Sequence, residues 1–205
     1  RWVHTRVRHD GSSTNPSPAN ALHIIDVCDK EGRGVNCRML GTTLNEVYLA
    51  MGFKSRHLTC LPYDTLDQDC HVINMVWSTQ FNKWIGMDPT NDAYWMDINH
   101  TPLSPWEVRR AMERGDSLVL SDSINWNGQP QSRQSYYNYI AKNSFRFMAP
   151  GSSSYGYESN AQVIEVGLYP TDYRPDLIGK SDSTRYKGII YEYSDDPDWF
   201  FAPPK

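Results

Sequence analysis

Cys37, His71 and Asp88 are of the types that acyl transfer through a thiol requires. A cysteine attacks a carbonyl only as its thiolate, so a working site lowers the thiol pKa with a helix N-terminus, an imidazolium, or both. A histidine beside it acts as the base when a carboxylate or amide holds its ring in one tautomer. The residues flanking Cys37 read as a helix start. Glycines at 32 and 34 permit close approach of the chain just before it, and Asn36 is a good N-cap. Leu40, Leu44, Val47, Tyr48 and Met51 then recur on one helical face up to a stop at Gly52. Cys37 falls in the first turn of this helix, where its own backbone N–H points toward a developing oxyanion.

His71 and Asp88 are linked by alternation. Period-two patterning in 56–61, 71–77 and 84–88 predicts three half-buried strands, the last two forming a hairpin. If that hairpin turns around Gln80-Phe81, His71 opposes Thr90 and Asp88 lies two residues away on the same face, a diagonal that these side chains can bridge. An odd-length loop would place them on opposite faces.

Taken in order, four segments resemble the core of the transglutaminase-like superfamily: Gly34-Val35-Asn36-Cys37-Arg38, Gly52-Phe53-Lys54-Ser55-Arg56, the strand opening at His71, and Trp84 followed by Asp88-Pro89-Thr90. The resemblance covers Ser17 to Thr90. It implies an α+β, papain-like fold with N-terminal helices packed on an antiparallel β-sheet, and a triad at Cys37, His71 and Asp88. The function it implies is thiol-dependent hydrolysis of peptide or amide bonds through a thioester, with no cofactor and no metal. Transfer of the acyl group to an amine is the variant within that class, and a non-catalytic module binding peptide or glycan is the alternative outside it. In the family the glycine sits two residues before the cysteine, whereas here both Val35 and Asn36 follow Gly34. Papain-like enzymes often supply a side-chain oxyanion donor from shortly before the cysteine, and Glu31 is the wrong kind of group for that.

The remaining elements have to carry this constellation. A helix is predicted over Ser17 to Lys30, with Ser17 as N-cap, Pro18 at its first position and Ala21, Leu22, Ile25 and Cys28 inward. Ser104-Pro105-Trp106-Glu107 is a capping-box signature opening a helix to about Arg114. Beyond it we expect a strand at Leu118 to Leu120, a polar loop through Asn127 to Pro130 and a helix through Tyr136 to Lys142. A loop at Gly151 to Ser154 follows, then strands at Gln162 to Leu168 and Gly188 to Tyr193. No internal repeat or low-complexity linker interrupts the chain. Residues 1–205 are expected to form one domain, with the motifs in 17–90 and an extension of the same domain in 91–205.

Several groups also have plainer readings. Cys28 is a core residue by its helical position, and Cys60 and Cys70 are expected as reduced thiols rather than a disulfide. Asp64, Asp67, Asp69, Cys70 and His71 are metal-ligating types, but their spacing matches no familiar zinc or calcium loop, and a turn-rich acidic loop accounts for them. Tyr136, Tyr137, Tyr139, Tyr155, Tyr157, Trp95, Trp106 and Trp126 are more simply core than groove-lining residues.

At 205 residues, 39% hydrophobic and 13% aromatic, the chain is long enough for one sizeable core. Its net charge of −4 offers no footprint for nucleic acid, and no run approaches the roughly 20 apolar residues of a membrane-spanning helix. The expected partner is a peptide or protein substrate, with oligomeric state open. The opening at Arg1 and the aromatic-rich, loop-rich second half lead us to expect an extracytoplasmic location.

Overall fold

The structure, a computed structural model, describes residues 1–64, 66–160, 163–171, 173 and 189–204. The first elements are α1 (Trp2–Arg6), α2 (Ala21–Glu31) and α3 (Cys37–Ala50), followed by β1 (Ser55–Leu61), β2 (His71–Ser78), β3 (Lys83–Met87) and the short β4 (Trp95–Met96). Next come α4 (Pro105–Arg114), β5 (Val119–Leu120), β6 (Asn125–Trp126), β7 (Gln129–Pro130), α5 (Arg133–Asn143) and β8 (Arg146–Pro150). A 3₁₀ turn (Tyr157–Ser159), β9 (Val163–Leu168), β10 (Ile189–Ser194) and α6 (Pro197–Phe200) complete the order. The chain is thus of mixed α+β class, with a six-stranded sheet in the order β10-β9-β8-β1-β2-β3.

That sheet corrects the expectation of a purely antiparallel one. β1, β2, β3, β8 and β9 pair antiparallel, but β10 runs parallel to β9, with Ile189 opposite Val163 and Ser194 opposite Leu168. A parallel neighbour needs a connection of about a dozen residues or more, and the stretch from 169 to 188 is long enough. Gln162 and Gly188, the expected first residues of these two strands, lie outside the described residues. β8 was not foreseen. It inserts beside β1, so β1 is buried along nearly its whole length rather than half-buried. One face of the sheet holds a core of Leu58, Cys60, Met75, Trp84, Phe147 and Leu168, closed by Phe200 of α6.

The β2–β3 hairpin has the expected register. Trp77 faces Trp84 and Asn74 faces Met87, a pairing that, carried on, sets His71 across from Thr90. Beyond β3 the chain turns through residues 88–93, and Asp88 and Ala93 close the turn by exchanging both backbone hydrogen bonds, at 2.8 and 3.1 Å.

The helix carrying Cys37 starts where expected. Asn36 has extended φ and ψ, and its side chain accepts from Met39 N at 3.1 Å. Its inner face differs from the expected one, because Met51 is 65% exposed while Leu44 and Val47 are only half-buried. The residues turned inward are Met39, Leu40, Gly41, Thr42, Thr43, Asn45 and Glu46. Gly41 bears on this choice: a Cβ there would lie 3.0 Å from Val72 Cγ1, so a glycine lets α3 lie this close to β2 without displacing the Val72 side chain. Asn74 Nδ2 then donates to Gly41 O at 2.9 Å, tying helix to strand with a fully buried amide.

α2 begins later than expected. Asn20, not Ser17, is its N-cap, accepting from His23 N at 3.0 Å. The inner face is Ala21, Ile24 and Cys28, leaving Leu22 82% exposed. Ser17 and Pro18 satisfy the local rules for a helix start equally well, and tertiary packing decides between them. The helix beginning at Ser104 has its full capping box, with Ser104 N donating to Glu107 Oε2 at 2.7 Å and Glu107 N to Ser104 Oγ at 3.1 Å.

A branched side chain at the closest approach of α3 and β2 tests this packing. Gly41→Val should lower stability by about 1–3 kcal/mol through overpacking, read as a fall of several degrees in Tm, whereas Gly32→Asn, at a left-handed helix cap with open space around it, should change Tm far less.

Candidate active site

The three residues singled out from the sequence meet at the N-terminus of α3. Cys37 is its first residue, half-buried, and the only partly exposed member of the three; His71 is 2% and Asp88 5% exposed. His71 Nε2 lies 2.7 Å from Asp88 Oδ2. A carboxylate only accepts, so Nε2 carries a proton and Nδ1 is the nitrogen left for the Cys37 sulfur, with which His71 is hydrogen-bonded.

Asp88 is held from every side. Its Oδ1 accepts from the backbone N–H of Thr90 at 2.8 Å and Asn91 at 3.2 Å, and its Oδ2 from His71, from Asn91 Nδ2 at 2.8 Å and from the Tyr136 hydroxyl at 2.9 Å. Burial alone would raise its pKa, but the charge of His71 and these donors hold it below the ordinary carboxylate value. Tyr136, itself fully buried, stacks on Trp95 with ring centroids 5.8 Å apart. The sequence reading takes Tyr136 as core, and it is buried there; its spacing carries no sign of the carboxylate it meets 48 positions away.

The electrostatics make an ion pair of Cys37 and His71. Burial pushes the Cys37 thiol up, but hydrogen bonds from His71 and His9, the charge of His71 and the Val72 N–H outweigh it and bring the thiol down to about 6. Burial pushes His71 down, yet Asp88 above all, with Cys37, raises it to about 10. The other cysteines go the opposite way: burial raises the thiols of Cys28, Cys60 and Cys70. All four are free thiols, so Cys60 and Cys70 are unpaired, as expected.

His9 was missed by the sequence reading, standing far upstream of Cys37 with no motif around it. The chain reaches the site through Gly34: residues 8–10 lie alongside Val35, with Val35 N donating to Arg8 O at 3.0 Å and Asp10 N to Val35 O at 2.8 Å. A Cβ on Gly34 would fall 2.5 Å from Arg8 O, which gives this glycine a physical reason at its unusual distance from the cysteine.

The other candidates settle elsewhere. Asp67 and Asp69 accept from Lys142 Nζ at 2.8 and 2.7 Å, and Asp64 accepts from Leu66 N at 2.8 Å. Among the described residues no group of three or more His, Cys, Asp or Glu is placed to hold a metal ion. Of the aromatics, Tyr139 borders the site, packing edge-on against His71 at 5.3 Å, and Tyr157 lies against His57 at 5.5 Å, whereas Tyr155 and Trp126, expected in the core, are 56% and 45% exposed. Arg38 pairs with Glu158 at 2.9 Å and Glu165 at 3.4 Å. Arg56 lies buried beneath Trp84, 4.9 Å from the ring centroid, donating to Pro150 O and Phe200 O, so it braces the C-terminus rather than the site. No helix among the described residues is long and apolar enough to cross a membrane.

Comparison with protein-family models gave no match, and comparison with curated proteins gave none either.

Two measurements check the site as built. The pH profile of Cys37 alkylation by iodoacetamide should have its midpoint near 6, and His71→Ala should move it up to or beyond about 8.5, the value of a free thiol. Because Cys37 titrates below its unfolded value and His71 above, the pair's stabilisation is lost as pH falls through about 6 and again as it rises through about 10. Tyr136→Phe should cost about 1.5–3 kcal/mol of stability, the range for a hydrogen bond to a charged group, seen in urea unfolding at pH 7.

Proposed function

We propose that this chain is a thiol hydrolase with a transglutaminase-like, papain-like arrangement, cleaving peptide or amide bonds through an S-acyl intermediate on Cys37. One observation carries the reading: of four free thiols, the one on a helix N-terminus is also the one held low by a histidine, and that histidine rests on a buried, fully hydrogen-bonded aspartate. Structural cysteines lack such settings, and nucleophilic ones require them.

The ion pair stands ready before substrate arrives, so no proton need leave Cys37 at the moment of attack. The thiolate adds to the carbonyl carbon and the C=O electron pair moves onto oxygen, where the Cys37 backbone N–H donates to it. Collapse breaks the C–N bond, the leaving amine takes the proton from His71 Nδ1, and the acyl group stays on sulfur. Water then gives a proton to His71 and adds to the thioester, and collapse releases the acid and restores the thiolate. Asp88 keeps the imidazole ring in place and stabilises its charge throughout.

The half-buried position of Cys37 leaves water access to the thioester and favours it over an amine as the second acceptor. The test is digestion of a denatured-protein peptide mixture, read by mass spectrometry, with a fluorescent primary amine added in parallel. Wild type should generate new carboxyl termini, Cys37→Ala none, and Asp88→Asn should slow turnover by up to ~10⁴-fold. Incorporation of the amine would instead show acyl transfer. A wild type that neither cleaves nor becomes S-acylated at any peptide bond or glutamine would leave a binding module.

A further inference from the structure

The side chain of His9 reaches the same sulfur as His71 but is built to do something different. Its Nδ1 accepts from the indole Nε1–H of Trp126 at 3.0 Å, and the two rings meet edge-on at 6.1 Å. An indole nitrogen can only donate, so Nδ1 must be bare and the ring proton sits on Nε2, the nitrogen left to face Cys37. The backbone of His9 is fixed just as firmly. Asn127 Oδ1 accepts from His9 N at 2.8 Å, and Asn127 Nδ2 donates to His9 O at 3.0 Å, a two-way clamp on the backbone of one residue.

That clamp has its own scaffold. Asn127 (φ 51°) and Gly128 (φ 79°) form the tight turn between β6 and β7, with Gly128 N donating to Asn125 Oδ1 at 2.8 Å. Asn125 N in turn donates to Asn91 O at 3.0 Å, so the hairpin holding His9 hangs from the turn holding Asp88. A base needs a nitrogen free to take a proton, and the Trp126 indole denies His9 that role. What remains is an N–H donor at the Cys37 sulfur, held in place by Trp126 and Asn127.

We propose that His9 is a catalytic residue of this site, its Nε2–H donating with the Cys37 backbone N–H to the oxyanion formed when an acyl group adds to Cys37, with Trp126 fixing the tautomer. The proposal rests on the thiol acyl-transfer reading above, and it supplies the side-chain donor that Glu31 does not. The His9 donor already reaches the sulfur in the resting protein, where it stabilises the thiolate; a carbonyl bonded to that sulfur brings its oxygen within reach.

Two reagents separate the roles. p-Nitrophenyl acetate acylates Cys37 through a tetrahedral oxyanion: the thiolate bonds to the carbonyl carbon, the electron pair moves to oxygen, and collapse expels p-nitrophenolate and leaves S-acetyl-Cys37. Iodoacetamide alkylates the same sulfur by displacing iodide at a saturated carbon, with no oxyanion. With each rate taken on its thiolate plateau, His9→Ala should slow acylation by about 10²-fold or more and alkylation by less than about tenfold. His9→Gln, which keeps a side-chain N–H, should recover most of the acylation rate, and Trp126→Phe should lose part of it without losing alkylation. Parallel loss of both reactions, or loss of neither, overturns the proposal. A wild type that is alkylated but never S-acetylated at Cys37 overturns the acyl-transfer reading together with it, whereas a wild type that is acetylated equally well without His9 overturns this inference alone.

Discussion

Everything at this site depends on a buried carboxylate that is never left without a donor. A charge in the protein interior is costly unless it is paired and hydrogen-bonded. Asp88 meets that demand with two backbone amides, an asparagine amide, a phenol and an imidazole. Each of these draws a different part of the chain to one point: the end of the hairpin, the 88–93 turn, α5 through Tyr136 and, by way of His71, the first turn of α3. Because the negative charge is fixed there, the proton shared by Cys37 and His71 resides on the histidine, and the sulfur is left as the anion.

The second constraint is the seating of the helix. A thiolate at a helix N-terminus gains from the oriented amides only if the helix itself cannot slide. Gly41 against Val72 and Asn74 bonded to Gly41 O fix α3 on β2, the same strand that opens with His71. The nucleophile and its partner therefore sit on two elements locked together four residues along the helix from the sulfur. The polar character of that inner face, with Thr42, Thr43, Asn45 and Glu46 buried, serves to tie elements together: Glu46 accepts from Ala21 N at the start of α2 and from Gly156 N in the loop after β8.

What could be read from sequence was what is encoded locally. Asn36 and the glycines mark a helix start, and hairpin parity puts His71 and Asp88 on one face; both depend on neighbours within a turn or a strand pair. The start of α2 was misread because Ser17-Pro18 and Asn20 obey the same capping rule, and only the fit of Ile24 into the core selects the second. The Asn127-Gly128 pair was an available signal for a hairpin, read instead as a polar loop because its flanking strands are only two residues long. Tyr136 and His9 had no local signal at all. Their partners are distant in sequence, and a contact of that kind has no period to detect. The antiparallel expectation failed at β10 for a related reason, since strand direction is decided by a connection whose course no alternation pattern reveals.

The pairing of His9 with Trp126 spans 117 positions, whereas His71 and Asp88 are 17 apart. A chain made from its N-terminus folds its near contacts first and closes its distant ones late. The histidine–aspartate pair can therefore form while the second half of the protein is still being synthesised, and residues 8–10 can already lie along Val35, but the His9 ring and backbone stay unclamped until the β6–β7 hairpin has emerged. The order of manufacture thus acts as a delay on a reactive thiol, completing its surroundings only when most of the chain is present to enclose it.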